Sequence, residues 1–396
     1  MLLHILRHLA TDSHTSVGIV SVREGPLLED FARFAPVTIL ETGWTRFFSL
    51  MEQGLDSVSQ RLGHRGLAAA SAVVRAVRRT LMRRRFGKLA AFSCIYANSA
   101  VACICFDALP PDHPPLITHV HELEFGLRHG IPPRAMKHMF EKTDHFVACS
   151  LAVRDNLTIN HGVPEEKVDL CYEPVDGASL ADARRRYERK DILNELSLPH
   201  NALVIGACGT REWRKGTDLF GLVAAKVLRQ RPADPIYFLW VGGTPAHLSD
   251  AQFLFDFEKL GLDDRLRLID FTAEPHRYFS IFDVFLLTSR EDPFPLAALE
   301  AATLGIPVVA FDSGGASEML GNGMGSVVKY ADVDSMAEAA VSLLADSHAA
   351  RSVGAKTSRE FPHIYEAAST TQRILGIIAA ATHAQSRAQI PRRDAG

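Results

Sequence analysis

This 396-residue sequence predicts an α/β protein of two doubly wound domains facing each other across a cleft. Three observations carry that prediction. Short apolar runs alternate with helical stretches along most of the chain. The alternation comes in two series, separated by the polar segment 176–190, "DGASLADARRRYERK". In the second series the polar clusters fall just after strands. Strands that are apolar throughout suit parallel sheets covered on both faces. Ligands of such sheets bind beyond the carboxyl ends of the strands.

The elements follow in order. "MLLHILRHLA" reads as a helix, with Leu2, Ile5, Leu6 and Leu9 on one stripe. "SVGIVSV" and "PVTIL" read as strands around the helix "GPLLEDFARF", and residues 46–90 as mostly helical. "FSCIYANS", "PLITHVHE", "HFVACS" and "KVDLCYEP" are further strands. The polar segment is read as a linker leading into helix. The second series opens at Asn201 with "ALVIGACGT", then a helix over 217–230, "IYFLWVGG", and a helix over 247–260. "RLRLIDF", "VFLLTS", "PVVAF" and "GSVVKY" continue it. The expected domains are 1–180 and 190–360, then a helix over 361–385 returning toward the first domain, and a disordered tail over 386–396.

Composition narrows the function classes. A net charge of −3 gives no global sign of nucleic-acid binding. No apolar run reaches the roughly 18 residues of a membrane span. The six cysteines form no CxxC pair and no zinc spacing, so buried, reduced thiols in a cytosolic protein are expected.

Three clusters carry chemistry. "GACGTREWRKGTDLF" sets Arg211, Arg214 and Lys215 between a strand and a helix N-terminus, an arrangement suited to a diphosphate; a solvated loop with chance cations is the alternative. "TSREDPFPLAALE" puts Pro295 in a helix's first turn, Asp292 just before it, and Glu300 on the helix. Glu300 shares a stripe with Leu296, Leu299 and Leu304, so it is expected on the buried face, where a carboxylate needs a partner. An acid at the mouth can bind sugar hydroxyls, and an acid further in can accept two hydrogen bonds from a ribose diol. The alternatives are an N-cap for Asp292 and a surface position for Glu300. "SGGASEML" offers a tight turn at Gly314 and Gly315, or simply a capping turn. "DVD" at Asp332–Asp334 precedes a helix and reads as capping rather than metal binding.

Residues 201–345 resemble the donor-binding domain of the family 4 retaining glycosyltransferases, which have the two-domain GT-B fold. The family's Gly-x5-Lys-Gly loop, acid-x7-Glu motif and Gly-Gly-x-x-Glu turn match Gly209 to Gly216, Asp292 to Glu300, and Gly314 to Glu318. The resemblance implies that Lys215 binds the donor diphosphate, helped by Arg211 or Arg214, because Thr210 occupies the family's usual arginine position. It implies that Asp292 approaches the transferred sugar and Glu300 the nucleotide ribose. Glu291, Phe294, Leu296, Gly314 and Gly315 complete the expected donor site, with Glu291 a competitor for the role of Asp292. The family's Gly-Phe-Gly is here Pro293, Phe294 and Pro295, which removes two backbone donors. "ITHVHELEFGL" more loosely resembles the acceptor domain, and His121 takes the place of a histidine that meets the donor sugar or the departing phosphate; a structural His119/His121 pair is the alternative. The family opens with a strand and a Gly-rich turn, whereas this chain opens in the helix that follows. The first sheet is therefore expected to lack its middle strand.

The implied function is retaining transfer of a sugar from a nucleoside diphosphate to a hydroxyl, in surface polysaccharide or glycolipid synthesis. No metal or resident cofactor is expected, and the nucleotide sugar is the co-substrate. The alternatives are a nucleotide-sugar epimerase of the same fold and a non-catalytic nucleotide-sugar binder. The expected partners are the donor and a saccharide or lipid-linked acceptor, with no nucleic acid. From Ser57 to Phe106 there is no acid, while nine Lys/Arg fall between Arg61 and Lys88 with Leu67, Val73, Val74, Val77, Leu81 and Met82 among them. Residues 61–88 are thus expected to meet an anionic membrane surface, which would put a cytoplasmic protein at the membrane's inner face.

Overall fold

The computed structural model describes residues 2–11, 16–41, 43–62, 65–87, 89–243 and 248–388. The chain divides into two units, Met1–Ala148 with Asn156–Cys171 and Thr371–Gly396, and Cys149–Asp155 with Tyr172–Thr370.

The first unit opens with α1 (Leu2–Thr11), β1 (Ile19–Ser21), α2 (Leu28–Ala32), β2 (Val37–Ile39), α3 (Gly43–Leu62) and α4 (Arg65–Phe86). It continues through β3 (Ile95–Ala97), β4 (Leu116–Val120), α5 (Glu124–Gly130), α6 (Pro133–Lys142) and β5 (His145–Ala148). After α7 (Leu151–Asp155), which belongs to the second unit, it continues with β6 (Val168–Leu170). β3, β4, β5 and β6 pair in that order, all parallel. β1 and β2 form a separate parallel pair, and among the described residues no strand joins the two sheets. The α1 stripe is real: Ile5 packs with Ile117 of β4, Val147 of β5 and Cys171.

The α3–α4 hairpin is built inside out. The inward face of α3 carries Thr45, Ser49, Glu52 and Asp56, while Phe47, Leu50, Met51 and Val58 are exposed at helical spacing. The two helices meet through charge. Arg78 Nε donates to Glu52 Oε2 at 2.9 Å, and Arg75 pairs with Glu52 and, at 3.1 Å, with Asp56. Ser71 Oγ donates to Asp56 at 2.5 Å, and Arg78 also lies 3.5 Å from Asp107. This narrows the basic surface expected over residues 61–88. Arg75 and Arg78 are spent internally, Arg83 and Arg85 donate to backbone carbonyls, and Val74 and Met82 are buried. The side chains of Arg61, Arg65 and Lys88 lie outside the described residues. Arg79 and Arg84 remain exposed, beside Val73 and Val77.

The second unit runs α8 (Gly177–Arg185), α9 (Arg189–Glu195), β7 (Leu203–Cys208), α10 (Thr217–Gln230), β8 (Ile236–Val241), α11 (Leu248–Lys259) and β9 (Leu266–Ile269). It then runs α12 (His276–Phe279), β10 (Val284–Leu287), α13 (Leu296–Thr303), β11 (Val308–Phe311), α14 (Ala316–Leu320), β12 (Ser326–Val328), α15 (Val333–Ala345) and α16 (Ser347–Ile364). The expected linker over 176–190 is largely helical: Asp176 caps α8 by accepting the N–H of Ser179 at 2.9 Å. Asp332 caps α15 in the same way, so the "DVD" segment is a helix start. The helix expected over 361–385 is instead split between α16 and α17 (Ala367–Ala388), so residues 386–388 are helical rather than a disordered tail, and 389–396 lie outside the described residues. Ile374 and Ile377 of α17 lie in the Ile5 cluster of the first unit.

The sheet of the second unit is one parallel array, β12-β11-β10-β7-β8-β9. Its inner strands β7, β8, β10 and β11 are buried on both faces, as continuous apolar runs require, while the edge strands β9 and β12 are partly exposed. The chain steps from β7 outward through β8 and β9, then returns to β10 on the other side of β7. The topological switch point is therefore between β7 and β10. At that point the two outgoing connections part, which opens a crevice at the carboxyl edge.

Candidate active site

The loops after β7 and β10 flank the switch point and are stitched to each other. The N–H of Arg290 donates to Arg214 O at 2.8 Å, and Thr288 Oγ1 donates to Lys215 O at 3.0 Å. Gly216 makes this approach possible. It has φ +69°, and a Cβ there would stand 2.0 Å from Thr288 O. The same residue opens α10, whose first N–H groups face the crevice end of the strands.

Lys215 and Asp292 are brought together. The ammonium Nζ lies 2.7 Å from Asp292 Oδ2, and Ser289 Oγ donates to the same oxygen at 3.1 Å. Asp292 is buried, and the carbonyl of the adjoining Glu291 accepts from Arg214 at 3.2 Å. The third loop, after β11, is laced onto the same segment. The N–H of Asp292 donates to Ser313 O, and the N–H of Gly315 returns the bond to Asp292 O, both at 3.0 Å. A Cβ on Gly315 would lie 2.3 Å from Pro293 O, so Gly314 and Gly315 support the acid loop through backbone contact.

Two sequence expectations fail here. Arg211 is not presented to a ligand: it is buried at 4% exposure. Its guanidinium donates to Asp250 at 2.8 and 2.9 Å, to Asp270 at 2.6 Å, and to the carbonyls of Gly242 and Ile269. The Asp250 hydrogen bonds raise its pKa further. Arg211 therefore ties the β7 loop to the ends of β8 and β9, and Arg214, half-buried, is the arginine left at the site. Phe294 is also buried, packed among Tyr172 and Tyr365 with centroids 5.4 Å away in each case. It braces the loop from beneath. Leu296, by contrast, is exposed at the start of α13.

Glu300 is half-exposed instead of lying along a buried stripe, and His276 Nε2 lies 3.1 Å from its Oε2 without the alignment of a hydrogen bond. Cys208, at the end of β7, is pushed up to about 12 by burial and then by the charge of Glu300. Nothing in the local pattern around His276 pointed to this contact, because it sits in a different strand connection. Arg290 was also passed over, although it adjoins the acid motif. It forms a bidentate pair with Asp218 at 2.8 and 2.6 Å and lies over the Trp213 ring. Burial pushes the Asp218 carboxyl up, but the Arg290 pair and backbone donors outweigh it and hold the group below its usual range. Glu318, in the first turn of α14, accepts from the N–H groups of Leu151 and Ala152 that open α7.

In the first unit His121 follows β4. Its N–H donates to Glu122 Oε2 at 2.9 Å, and Glu122 is held by Ser99 Oγ at 2.5 Å and the N–H of Ala100 at 3.1 Å. The neighbouring His119 is fully buried and bonded to Tyr96 at 2.5 Å, and its ring centroid lies 4.1 Å from that of His121, with the planes tilted by 32°. Burial, and then His121, hold His119 well below the ordinary histidine pKa, so it packs as a neutral ring.

Comparison with known proteins places this geometry. The profile described as "Glycosyltransferase Family 4" matches residues 2–178, and that described as "Glycosyl transferases group 1" matches residues 200–346. The chain belongs to the family 4 glycosyltransferases. Among curated relatives, the O-antigen biosynthesis glycosyltransferase WclY of Escherichia coli is 31% identical over 147 residues, 37% of this chain and 38% of the relative. The lipopolysaccharide core biosynthesis mannosyltransferase LpsB of Rhizobium meliloti is 29% identical over 185 residues, 44% of this chain and 52% of the relative. The chain thus matches less than two thirds of each relative's length. Among solved structures, Anabaena Alr3699/HepE in complex with UDP and glucose superposes with a TM-score of 0.71 at 16% identity, covering 96% of this glycosyltransferase and 94% of that chain. The fold is accordingly GT-B, with two Rossmann-like units.

Proposed function

We propose that this glycosyltransferase moves a sugar from a nucleoside diphosphate donor to a hydroxyl acceptor, with retention of configuration, in building a surface polysaccharide or glycolipid. The observation that carries the reading is Lys215, set at the switch point with its ammonium 2.7 Å from Asp292. In this reading Lys215, Arg214 and the first N–H groups of α10 bind the diphosphate. Negative charge gathers on that diphosphate as its bond to the sugar breaks, and fixed donors aimed there stabilise the charge as it develops. The diphosphate competes with Asp292 for the ammonium group, so donor binding turns Asp292, still held by Ser289, toward the sugar hydroxyls. Glu300 accepts from the ribose diol, and His121 donates toward the sugar or the departing phosphate. The nucleotide sugar is the co-substrate and no resident cofactor takes part. The names of the curated relatives, and the UDP and glucose of the HepE complex, support this substrate class.

We also propose a cytoplasmic location, with the α3–α4 hairpin touching the anionic inner face of the membrane where a saccharide or lipid-linked acceptor would be met. Support comes from the exposed apolar residues of α3 and from Arg79 and Arg84, with the hairpin's acids turned inward. No helix among the described residues is long and apolar enough to cross a membrane.

Calorimetry with a nucleoside diphosphate and with the free nucleoside tests the donor site. Lys215→Ala is expected to weaken diphosphate binding by about 1.5–3 kcal/mol and to leave the nucleoside unaffected. Equal losses for both ligands would overturn the phosphate assignment. Transfer of labelled sugar to an acceptor, measured on the unmodified protein, tests the activity itself.

A further inference from the structure

We infer that His276 is the positioning residue for Glu300, holding its carboxylate in the orientation that receives the two hydroxyls of a donor's ribose. The inference rests on the donor-site reading above. His276 opens α12, in the connection from β9 to β10, whereas Glu300 lies on α13 after β10. The two residues are far from any shared motif, yet Nε2 stands 3.1 Å from Oε2.

The imidazole is held there by its surroundings. Its ring meets Phe279 edge-on, with centroids 5.6 Å apart and planes at 83°. Phe279 is buried and stacks on Phe282 at 5.2 Å, and Phe285 of β10 adjoins both rings. Pro275 precedes the helix and restricts its entry. The ring therefore has an anchored back, and its Nε2 stands close to the carboxylate but out of line with it.

The charges around Glu300 leave this task to His276. Lys215 is paired with Asp292, and Cys208 on β7 carries a neutral thiol. His276 Nε2 is buried, and although it is within ion-pair distance of Oε2 its N–H direction misses the oxygen. A buried donor left unaligned is costly. A modest rotation of the Glu300 carboxylate would align that bond. A carboxylate offers about four acceptor positions, so one can serve His276 while others take a diol. A ribose that draws the carboxylate into this orientation completes both sets of hydrogen bonds at once.

The test is calorimetry on the full chain with UDP, GDP and ADP, and then with the tightest of these against its 2′,3′-dideoxy analogue. The unmodified protein is expected to prefer the ribose form by about tenfold, the worth of a hydrogen bond to a charged group. His276→Ala should abolish most of that preference while leaving the dideoxy affinity within about twofold, and His276→Gln, which keeps an N–H donor, should restore much of it. Combining His276→Ala with Glu300→Gln should cost no more than Glu300→Gln alone. If none of the three nucleotides binds the unmodified protein, the donor-site reading fails. If the unmodified protein prefers ribose and His276→Ala keeps that preference, this inference alone is overturned. Should His276→Ala not fold, His276→Asn, whose shorter amide cannot reach Oε2, is read by the same two outcomes.

Discussion

Charged side chains do opposite things in the α3–α4 hairpin and at the carboxyl edge of the second unit's sheet. In the hairpin they form the contact face: Glu52 and Asp56 are consumed by Arg75, Arg78 and Ser71, and Phe47, Leu50, Met51 and Val58 of α3 are left outside. At the sheet edge the order is reversed. An apolar core of strands and helices, including Phe220, Phe238 and Trp240, lies beneath, and the charges stand beyond it on loops. There they pair in ways a ligand can exchange, as Lys215 does with Asp292. The difference teaches that a charged residue's role follows from what it is packed on. A network that joins two helices is structural, whereas a pair at a switch point, backed by a rigid sheet, is available for chemistry.

The largest expected effect tests the rigid side of that comparison. Gly216→Val would demand a β-branched residue at φ +69° with its Cβ in the Thr288 carbonyl. Destabilisation of at least about 4 kcal/mol is expected, read as a fall in the thermal midpoint together with loss of nucleotide binding. A variant that melts like the parent would show that the two loops are not locked together.

A smaller loss should follow in the hairpin. Glu52→Ala leaves Arg75 and Arg78 largely buried with one acid fewer, and about 3 kcal/mol of stability should be lost by urea unfolding. Replacing Glu52, Arg75 and Arg78 together by leucine or methionine should recover most of it, since a well-packed apolar contact can replace a buried ion network. Nucleotide affinity should not change in either variant. If it does, the two regions are energetically coupled.

The smallest effect on stability belongs to the outward stripe. Leu50→Ser, at a side chain with 63% of its surface exposed, should shift stability by no more than about 0.5 kcal/mol. Co-sedimentation with vesicles containing anionic lipid should nevertheless fall, and high salt should weaken what binding remains through Arg79 and Arg84. Unchanged sedimentation of the variant, or none by the parent protein at low salt, would remove the membrane reading and leave the donor site untouched.

Much of this protein was legible in its sequence because the signal is local. Apolar runs such as "IYFLWV" and "VFLL" can only be satisfied by burial on both faces, so the parallel sheet of the second unit and the order of its elements follow from pattern alone. The positions of Lys215, Asp292 and Glu300 after strands were legible for the same reason, since each lies within a few residues of a strand end or a helix start. Tertiary structure alone decided what those residues touch. Arg211 and Arg214 are three apart in one loop, but only the fold shows that the first is enclosed by Asp250 and Asp270. Glu300 shares a stripe with Leu296, Leu299 and Leu304, yet α13 leaves it half-exposed beside His276, from a separate connection. The acid-free run likewise read as a basic surface for an anionic membrane, and only the fold shows Glu52 and Asp56, from the preceding helix, drawing two of its arginines inward. Hydrophobic periodicity acts over a few residues and survives in one dimension. A charge finds its partner through space, across chain separations of 24 residues for His276 and Glu300 and 77 for Lys215 and Asp292, and that pairing exists only once the chain is folded.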